Sequence, residues 1–293
     1  MTVDENLMWA GAGAVFTDRE LMRKLLGPTC EYLGEQARDW VKKCFENLGS
    51  IIGKARLKLG QRIEDNGQVP SRVFRRVFEE GRFIEDELVA EYFGGLLASA
   101  RTEDGKDDSV LPLIAEVQRL SVHQLRLHYA TYAIAHQVFQ GKDLGLHWFR
   151  KAVVLVPYDS VLDALGLDKA SPHRFEVVQS LLGLAKEGLV GQEADFSSNF
   201  LPGRDWRSEG RDGLCLPLTI HGLSLFYAAH AFQDKPADLG LNANFELPDE
   251  CPVAIPADAT GFECEDLDPV RAAYKQLKSG LENGSIKAIG HLG

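Results

Sequence analysis

The chain has 293 residues, enough for one large domain or two ordinary ones. Its 45% hydrophobic and 26% charged content is that of a soluble globular protein. A formal net charge of −11 argues against wholesale nucleic-acid binding, because a phosphate backbone demands a basic surface. Five scattered cysteines (Cys30, Cys44, Cys215, Cys251, Cys264) show no CxxC spacing. They suit a reducing compartment and carry no zinc signature, so a cytoplasmic location is expected.

Residues 1–17 read as a leader. It begins acidic, with Asp4 and Glu5, where a signal peptide would be basic. Its apolar run Leu7–Phe16 falls far short of the roughly 20 residues that span a bilayer. A loosely ordered segment with Trp9 packed locally is the simplest reading.

Residues 18–120 read as an α-helical bundle. Asp18 caps a helix carrying Leu21, Leu25 and Leu26, which is expected to stop near Gly27-Pro28. A longer amphipathic run follows, with Leu33, Ala37, Trp40, Val41, Cys44, Phe45, Leu48, Ile51 and Ile52 on its apolar side. Arg38, Lys42, Lys43, Lys54, Arg56 and Lys58 lie opposite. After the Asn66-Gly67 turn, Val69-Pro70-Ser71 opens a helix through Val73, Phe74, Val77 and Phe78, with Arg72, Arg75, Arg76 and Arg82 mainly on its far side. Basic residues outnumber acidic ones from Asp18 to Arg82. Lys42, Lys43, Lys54, Arg56, Arg72, Arg75 and Arg76 therefore form a candidate surface for an anionic partner; a solvated face is the plainer reading.

The stretch Phe83–Arg101 organises this bundle. Ile84, Leu88, Tyr92, Leu96 and Ala100 recur every four residues, widened by Phe93 and Leu97, which predicts a buried central helix. Glu85, Asp86 and Glu87 crowd its start, where the helix dipole favours negative charge. Gly94 and Gly95 each cost up to about 1 kcal/mol relative to alanine mid-helix, so another backbone is expected to cross closely there. Glu87 and Glu91 share a face and need cations; Arg75, Arg76 and Arg82 are the expected partners. Acid–base chemistry by this cluster is the weaker reading. A polar loop, Thr102–Asp108, then leads to a helix over Val110–Leu120.

Residues 121–235 change grammar. Ser121 caps a helix through Leu125, Leu127, Tyr129, Ala133 and Val138, and Gly141–Gly145 breaks it. His147–Val156 is a short apolar segment ending at Pro157. Ser160–Leu165 is a short helix stopped by Gly166, and Pro172–Glu187 is a second, with Phe175, Val178, Leu181, Leu182 and Leu184 apolar. Gly188-Leu189-Val190 leads into a strand, Leu214–Leu218 forms another, and Leu218-Thr219-Ile220-His221-Gly222 opens a closing helix through Phe232. This order predicts a winged helix-turn-helix-like module with a small β-hairpin. The fold class is thus mainly α, a helical bundle followed by that module. Residues 236–293 form an acidic tail, mostly extended or disordered, with one helix expected over Pro269–Leu281.

No P-loop, GxGxxG, HExxH or GxSxG is present, and no catalytic, cofactor-binding or metal-ligating residue is assigned. His123, His128 and His136 do not stack on one helix face, and they read as surface or interface residues. The presumed recognition helix is near neutral: His173, Arg174 and Lys186 stand against Glu176 and Glu187. Arg204, Trp206, Arg207 and Arg211 are candidate wing contacts to DNA, offset by Asp195, Asp205, Glu209 and Asp212. Phosphate contacts dominate DNA affinity, and few are offered here.

One family resemblance emerges. Leu25-Leu26-Gly27-Pro28 with Leu33-Gly34, then Val69-Pro70-Ser71-Arg72-Val73, then Glu85-Asp86 through Leu88 to Tyr92-Phe93-Gly94-Gly95-Leu96-Leu97-Ala98-Ser99-Ala100, with Leu120-Ser121 after it, resemble the bacterial abortive-infection alpha family. Pro70, Glu85, Asp86, Leu88, Tyr92, Leu96, Leu97 and Ala98 are the marker residues. The likeness spans roughly Leu21–Leu225, is weaker at the winged end, and departs at Gly94-Gly95. It implies a cytoplasmic bacterial protein of phage defence and carries over no catalytic residue. The expectation is a sensor, adaptor or regulator working on protein partners, a phage-encoded trigger among them. A winged-helix DNA-binding regulator is the first rival, and a membrane-perturbing effector the second. Homo-oligomerisation stays open.

Overall fold

Helix α1, Arg19–Leu59, is a single 41-residue helix. The computed structural model describes residues 19–139, 152–170, 173–194, 213–232, 247, 253–257 and 259–263, with side chains from Asp39 through Ala259. The stop expected at Gly27-Pro28 does not occur; a proline inside a helix removes one backbone hydrogen bond, and the helix continues past it. A 3-10 turn, Gly60–Glu64, leads to α2, Ser71–Gly81, and then to α3, Glu87–Ser99. Helices α4 (Leu111–Arg119) and α5 (Val122–Phe139) follow. Strand β1 (Ala152–Pro157), α6 (Tyr158–Leu165), α7 (Arg174–Lys186), β2 (Gly213–Pro217), α8 (Ile220–Ala229) and β3 (Thr260–Glu263) complete the described elements. The described residues are mainly helical, with one small antiparallel sheet.

The helix starts follow local chemistry. The Asp86 carboxylate accepts from the Leu88 and Val89 N–H groups at 2.9 and 3.1 Å, so α3 begins one residue later, not at Phe83. Ser121 and Gln124 exchange hydrogen bonds, 3.2 and 2.7 Å, as a reciprocal cap on α5. Gly166 ends α6 in the left-handed region, where glycine meets no Cβ penalty. Thr219 caps α8 by accepting from Gly222 N–H at 3.0 Å.

The sheet order is β2-β1-β3. Val154 pairs with Leu216 on one side and Gly261 on the other. The apolar segment before Pro157, to which the sequence assigned no element, is the central strand. The strand expected after Gly188-Leu189-Val190 is corrected: these residues form a turn, and Gly191 donates its N–H to the Pro217 carbonyl at 2.8 Å. The tail also contributes: Thr260–Glu263 is an edge strand, and Val253 is buried. The helix expected over Pro269–Leu281 lies outside the described residues.

A continuous apolar core runs from Ile51 of α1 through α3 and α5 to the sheet and α8. Helix α3 sits at its centre, with both glycines at helix crossings. A Cβ on Gly94 would stand 2.7 Å from Lys54 Cβ and 3.0 Å from the Ile51 carbonyl oxygen of α1. On Gly95 it would stand 1.7 Å from the Ala229 carbonyl oxygen of α8. The close approach anticipated from the glycine pair is therefore double.

Candidate functional site

The acidic start of α3 finds its cations on α1, not on α2. Lys54 Nζ bonds Glu87, and Glu91 at 2.6 Å, while Lys58 Nζ bonds Glu91 at 2.7 Å. The expected arginines are engaged elsewhere: Arg75 on Glu79, Arg76 on Gln118 and Glu80, Arg82 on the Glu79 carbonyl. Burial opposes ionisation of Glu91, but the bonds from Lys54 and Lys58 outweigh it and hold its pKa below the usual carboxylate range. Burial likewise opposes the charge on Lys54, and the two glutamates outweigh that, raising its pKa. Fixed opposite charges make a clamp between helices; a proton shuttle needs a group that titrates near neutrality. Glu91→Gln is expected to lower stability by about 1–2 kcal/mol, because it leaves Lys54 and Lys58 under-compensated. An unchanged urea midpoint would rule out that contribution.

The second cluster is buried and aromatic. His128 Nδ1 lies 2.6 Å from the Tyr92 hydroxyl, and its Nε2 lies 3.0 Å from the Gly222 carbonyl oxygen. A carbonyl only accepts, so Nε2 carries the hydrogen and Nδ1 accepts from Tyr92. The Tyr132 hydroxyl donates to the Leu189 carbonyl at 2.6 Å and accepts from Thr219 N–H at 3.1 Å. Burial pushes Tyr132 up to about 12, Tyr92 well above its ordinary value, and His128 down to about 3. All three are neutral and sealed from solvent, so the hub ties α3, α5, α8 and the Leu189 turn together. The surface reading of the histidines is overturned: His128 and His136 are buried, and His123 is half-buried. No group of three or more potential metal ligands occurs among the described residues.

A cleft of about 970 Å³ opens between the 3-10 turn, α3, α4 and α8. Its arginines serve the backbone. Arg101 donates to the carbonyls of Arg62, Ile63 and Asp65, and Arg62 to that of Ala231. They pin the turn to the core, and Arg101 packs against Gly67. Among the described residues, no histidine or cysteine lines this cleft.

The marker residues fall on α3 and its approach. Leu88, Tyr92, Leu96, Leu97 and Ala98 are buried; Asp86 is the cap, Glu85 precedes the helix, and Pro70 precedes α2. The candidate anionic-partner surface is divided. Lys54 is buried in the clamp, and Arg72 pairs with Asp108. Lys42 lies 3.7 Å from Glu46; Lys43 and Arg56 make no ion pair among the described residues. Arg204, Trp206, Arg207 and Arg211 lie outside the described residues.

Helix α7 is apolar on two sides. Val177, Ser180, Leu181, Leu184 and Ala185 face the core. Phe175 and Leu182, named among the apolar residues of this helix without a face assigned, are 73% and 54% exposed. They share the outward face with Arg174, Gln179 and Lys186. Apolar residues on two sides of a short helix were the available signal of a second contact. No helix among the described residues is long and apolar enough to cross a membrane. No protein-family model, no curated protein and no solved structure matches the chain.

Proposed function

We propose that this chain is a phage-defence protein of the abortive-infection alpha kind, working by protein contact through a winged-helix-like module. The defence assignment rests on the resemblance carried by Val69–Val73 and Glu85–Ala100. The order α5, β1, α6, α7, the Gly191 turn bonded to β2, then β2 supports the winged reading. In such a module α7 stands in the recognition position.

The observation that carries protein contact is the outward face of α7, centred on Phe175 and Leu182. A DNA reader needs more phosphate-binding cations than the two, Arg174 and Lys186, on this face, whereas exposed large apolar side chains mark a protein interface. A cytoplasmic protein, host- or phage-encoded, is the partner proposed.

The test is a plaque assay on cells carrying the gene with its neighbours, comparing wild type with the Phe175→Ser/Leu182→Ser variant. Both sites are solvent-exposed, so the variant's melting temperature should match wild type. Protection is expected to drop at least about tenfold, the loss that follows from removing roughly 1.4 kcal/mol of contact energy. Wild type that leaves plating unchanged across a broad phage panel would remove the defence reading. Full protection by the variant would remove α7 from the mechanism.

A further inference from the structure

The chain leaves the 3-10 turn Gly60–Glu64 and is extended by Gln68, which pairs with Thr102 through backbone bonds of 2.8 and 3.1 Å. Asp65, Asn66 and Gly67 make the change of direction between them. Arg101 braces that change: its guanidinium donates to the carbonyls of Arg62, Ile63 and Asp65 and lies across Gly67. A Cβ at position 67 would stand 2.9 Å from Arg101 Nη1 and 3.0 Å from its Cζ. Three carbonyls tie the guanidinium, so it does not swing aside cheaply, and the brace holds glycine at this position.

Glycine directly after asparagine makes a reactive pair. The glycine amide nitrogen can reach the asparagine side chain, and no Cβ crowds the five-membered ring that results. Three features of this turn favour that reaction. Asn66 is exposed, and its carboxamide makes no hydrogen bond to the described residues, so it rotates toward Gly67 without loss. The Gly67 N–H makes none either, so no such bond has to break before the proton leaves. Arg101 sets a positive charge against Gly67, where negative charge develops on the nitrogen. Glu64 and Asp65 act the other way, but both are exposed and screened by solvent. Asn47 shows the opposite case. It is 8% exposed within α1, its Nδ2 donates to the Arg82 carbonyl at 2.9 Å, and Leu48 follows it.

We propose that Asn66 is a self-modifying site, deamidated in the native protein by the Gly67 amide and water. Hydroxide takes the Gly67 N–H proton, the nitrogen bonds to the Asn66 side-chain carbonyl carbon, and that carbon's bond to its NH2 group breaks. The departing group takes a proton from water, which restores the hydroxide, and leaves as ammonia. Water then opens the cyclic imide at either carbonyl. The net change is one water consumed and one ammonia released, with no oxidation or reduction. Opening at the side-chain carbonyl gives aspartate. Opening at the main-chain carbonyl gives isoaspartate, whose backbone runs through Cβ and Cγ and is one atom longer. The extra atom falls between Asp65, whose carbonyl Arg101 holds, and Gln68, which Thr102 holds. Both ends are pinned, so the isoaspartyl form loosens the brace and the wall of the cleft that Asn66 and Gly67 line.

The test ages the full chain in mildly alkaline buffer at physiological temperature, then cuts it with trypsin and reads the mass change of NH2 to OH. The Ile63–Arg72 peptide should convert at least about tenfold faster than Cys44–Lys54, which carries Asn47. Its product should divide between aspartate and isoaspartate, and Asn66→Gln should abolish it without moving the urea midpoint. The purified isoaspartyl form should be cut by dilute protease between Gly60 and Pro70 at least about tenfold faster than the Asn66→Asp protein, which has the same charge on an ordinary backbone. Conversion no faster than at Asn47, or confined to the urea-unfolded chain, would overturn the site. Equal cutting of the isoaspartyl form and the Asn66→Asp protein would overturn its effect on the brace.

Discussion

Gly95→Ala is expected to remove a large part of the protein's stability, while Gly53→Ala should leave it unchanged or raise it. At Gly95 the new methyl would lie 1.7 Å from the Ala229 carbonyl oxygen and 2.2 Å from its carbon. Neither backbone can yield cheaply, since Phe93 and Leu96 of α3 and Phe226 of α8 are fully buried around the crossing. Overpacking a core ordinarily costs about 1–3 kcal/mol; a backbone collision belongs beyond that range, at about 4 kcal/mol or more. That is a large part of a typical total of roughly 5–15 kcal/mol. Gly53 is the internal control: a Cβ there meets nothing within 4 Å, and alanine gains about 1 kcal/mol of helix propensity. Urea unfolding of the two variants reads both signs at once. A Gly95→Ala protein with the wild-type midpoint would mean that α8 does not cross α3 there.

That crossing was legible because a glycine pair inside a strongly periodic helix has few other physical reasons to exist. The cap at Ser121 was legible for the same kind of reason, a short polar side chain just before a periodic run, whereas Asp86 was read inside the first turn and not as the residue that starts it. Strand β1 was not, because all six of its residues are buried. A strand covered on both faces loses the alternation that identifies it, and a run of six apolar residues reads equally as helix. Edge strand β3 pairs with β1 over a separation of about a hundred residues, which no local pattern encodes.

The surfaces were legible only in part. Periodicity says that Phe45 and Ile52 lie near the apolar side of α1, but the width of the buried stripe depends on how closely neighbours sit. Gly94 lets α1 approach α3 until Lys54 Cβ touches it, which draws Lys54 inward and turns Phe45 and Ile52 outward. The same displacement hands Glu87 and Glu91 to Lys54 and Lys58 and leaves the α2 arginines to other partners. One close helix approach thus explains both the misassigned ion pairs and the exposed apolar residues.

Lowering the pH from about 6.5 to about 4.5 is expected to destabilise the protein steeply, through the buried His128 and the half-buried His230. Burial holds His128 at about 3, with the Gly222 carbonyl opposing only in part. His230 is also held at about 3, by burial first and then by the Lys58 charge; the Phe226 carbonyl and Glu91 work the other way, and His136 adds to the depression. In the unfolded chain each takes a proton below about pH 6.5, whereas the native protein refuses it until about pH 3. The unfolded state therefore binds more protons, and stability falls as pH falls through this window. Each histidine's slope rises from about half of 1.4 kcal/mol per pH unit at pH 6.5 to nearly all of it below pH 5.5, so the pair removes roughly 4–5 kcal/mol over two units. Above about pH 4.5 the depressed carboxyl of Glu91 adds little, because unfolded glutamates are then still largely ionised. His128→Gln isolates one share. Its amide can donate to the Gly222 carbonyl and accept from Tyr92 without ever titrating, so the pH slope of the urea midpoint should fall to about half. A slope that stays at the wild-type value would place the acid sensitivity outside the hub, and would leave His128 as a polar tie between α3, α5 and α8 with no titration of its own in this range.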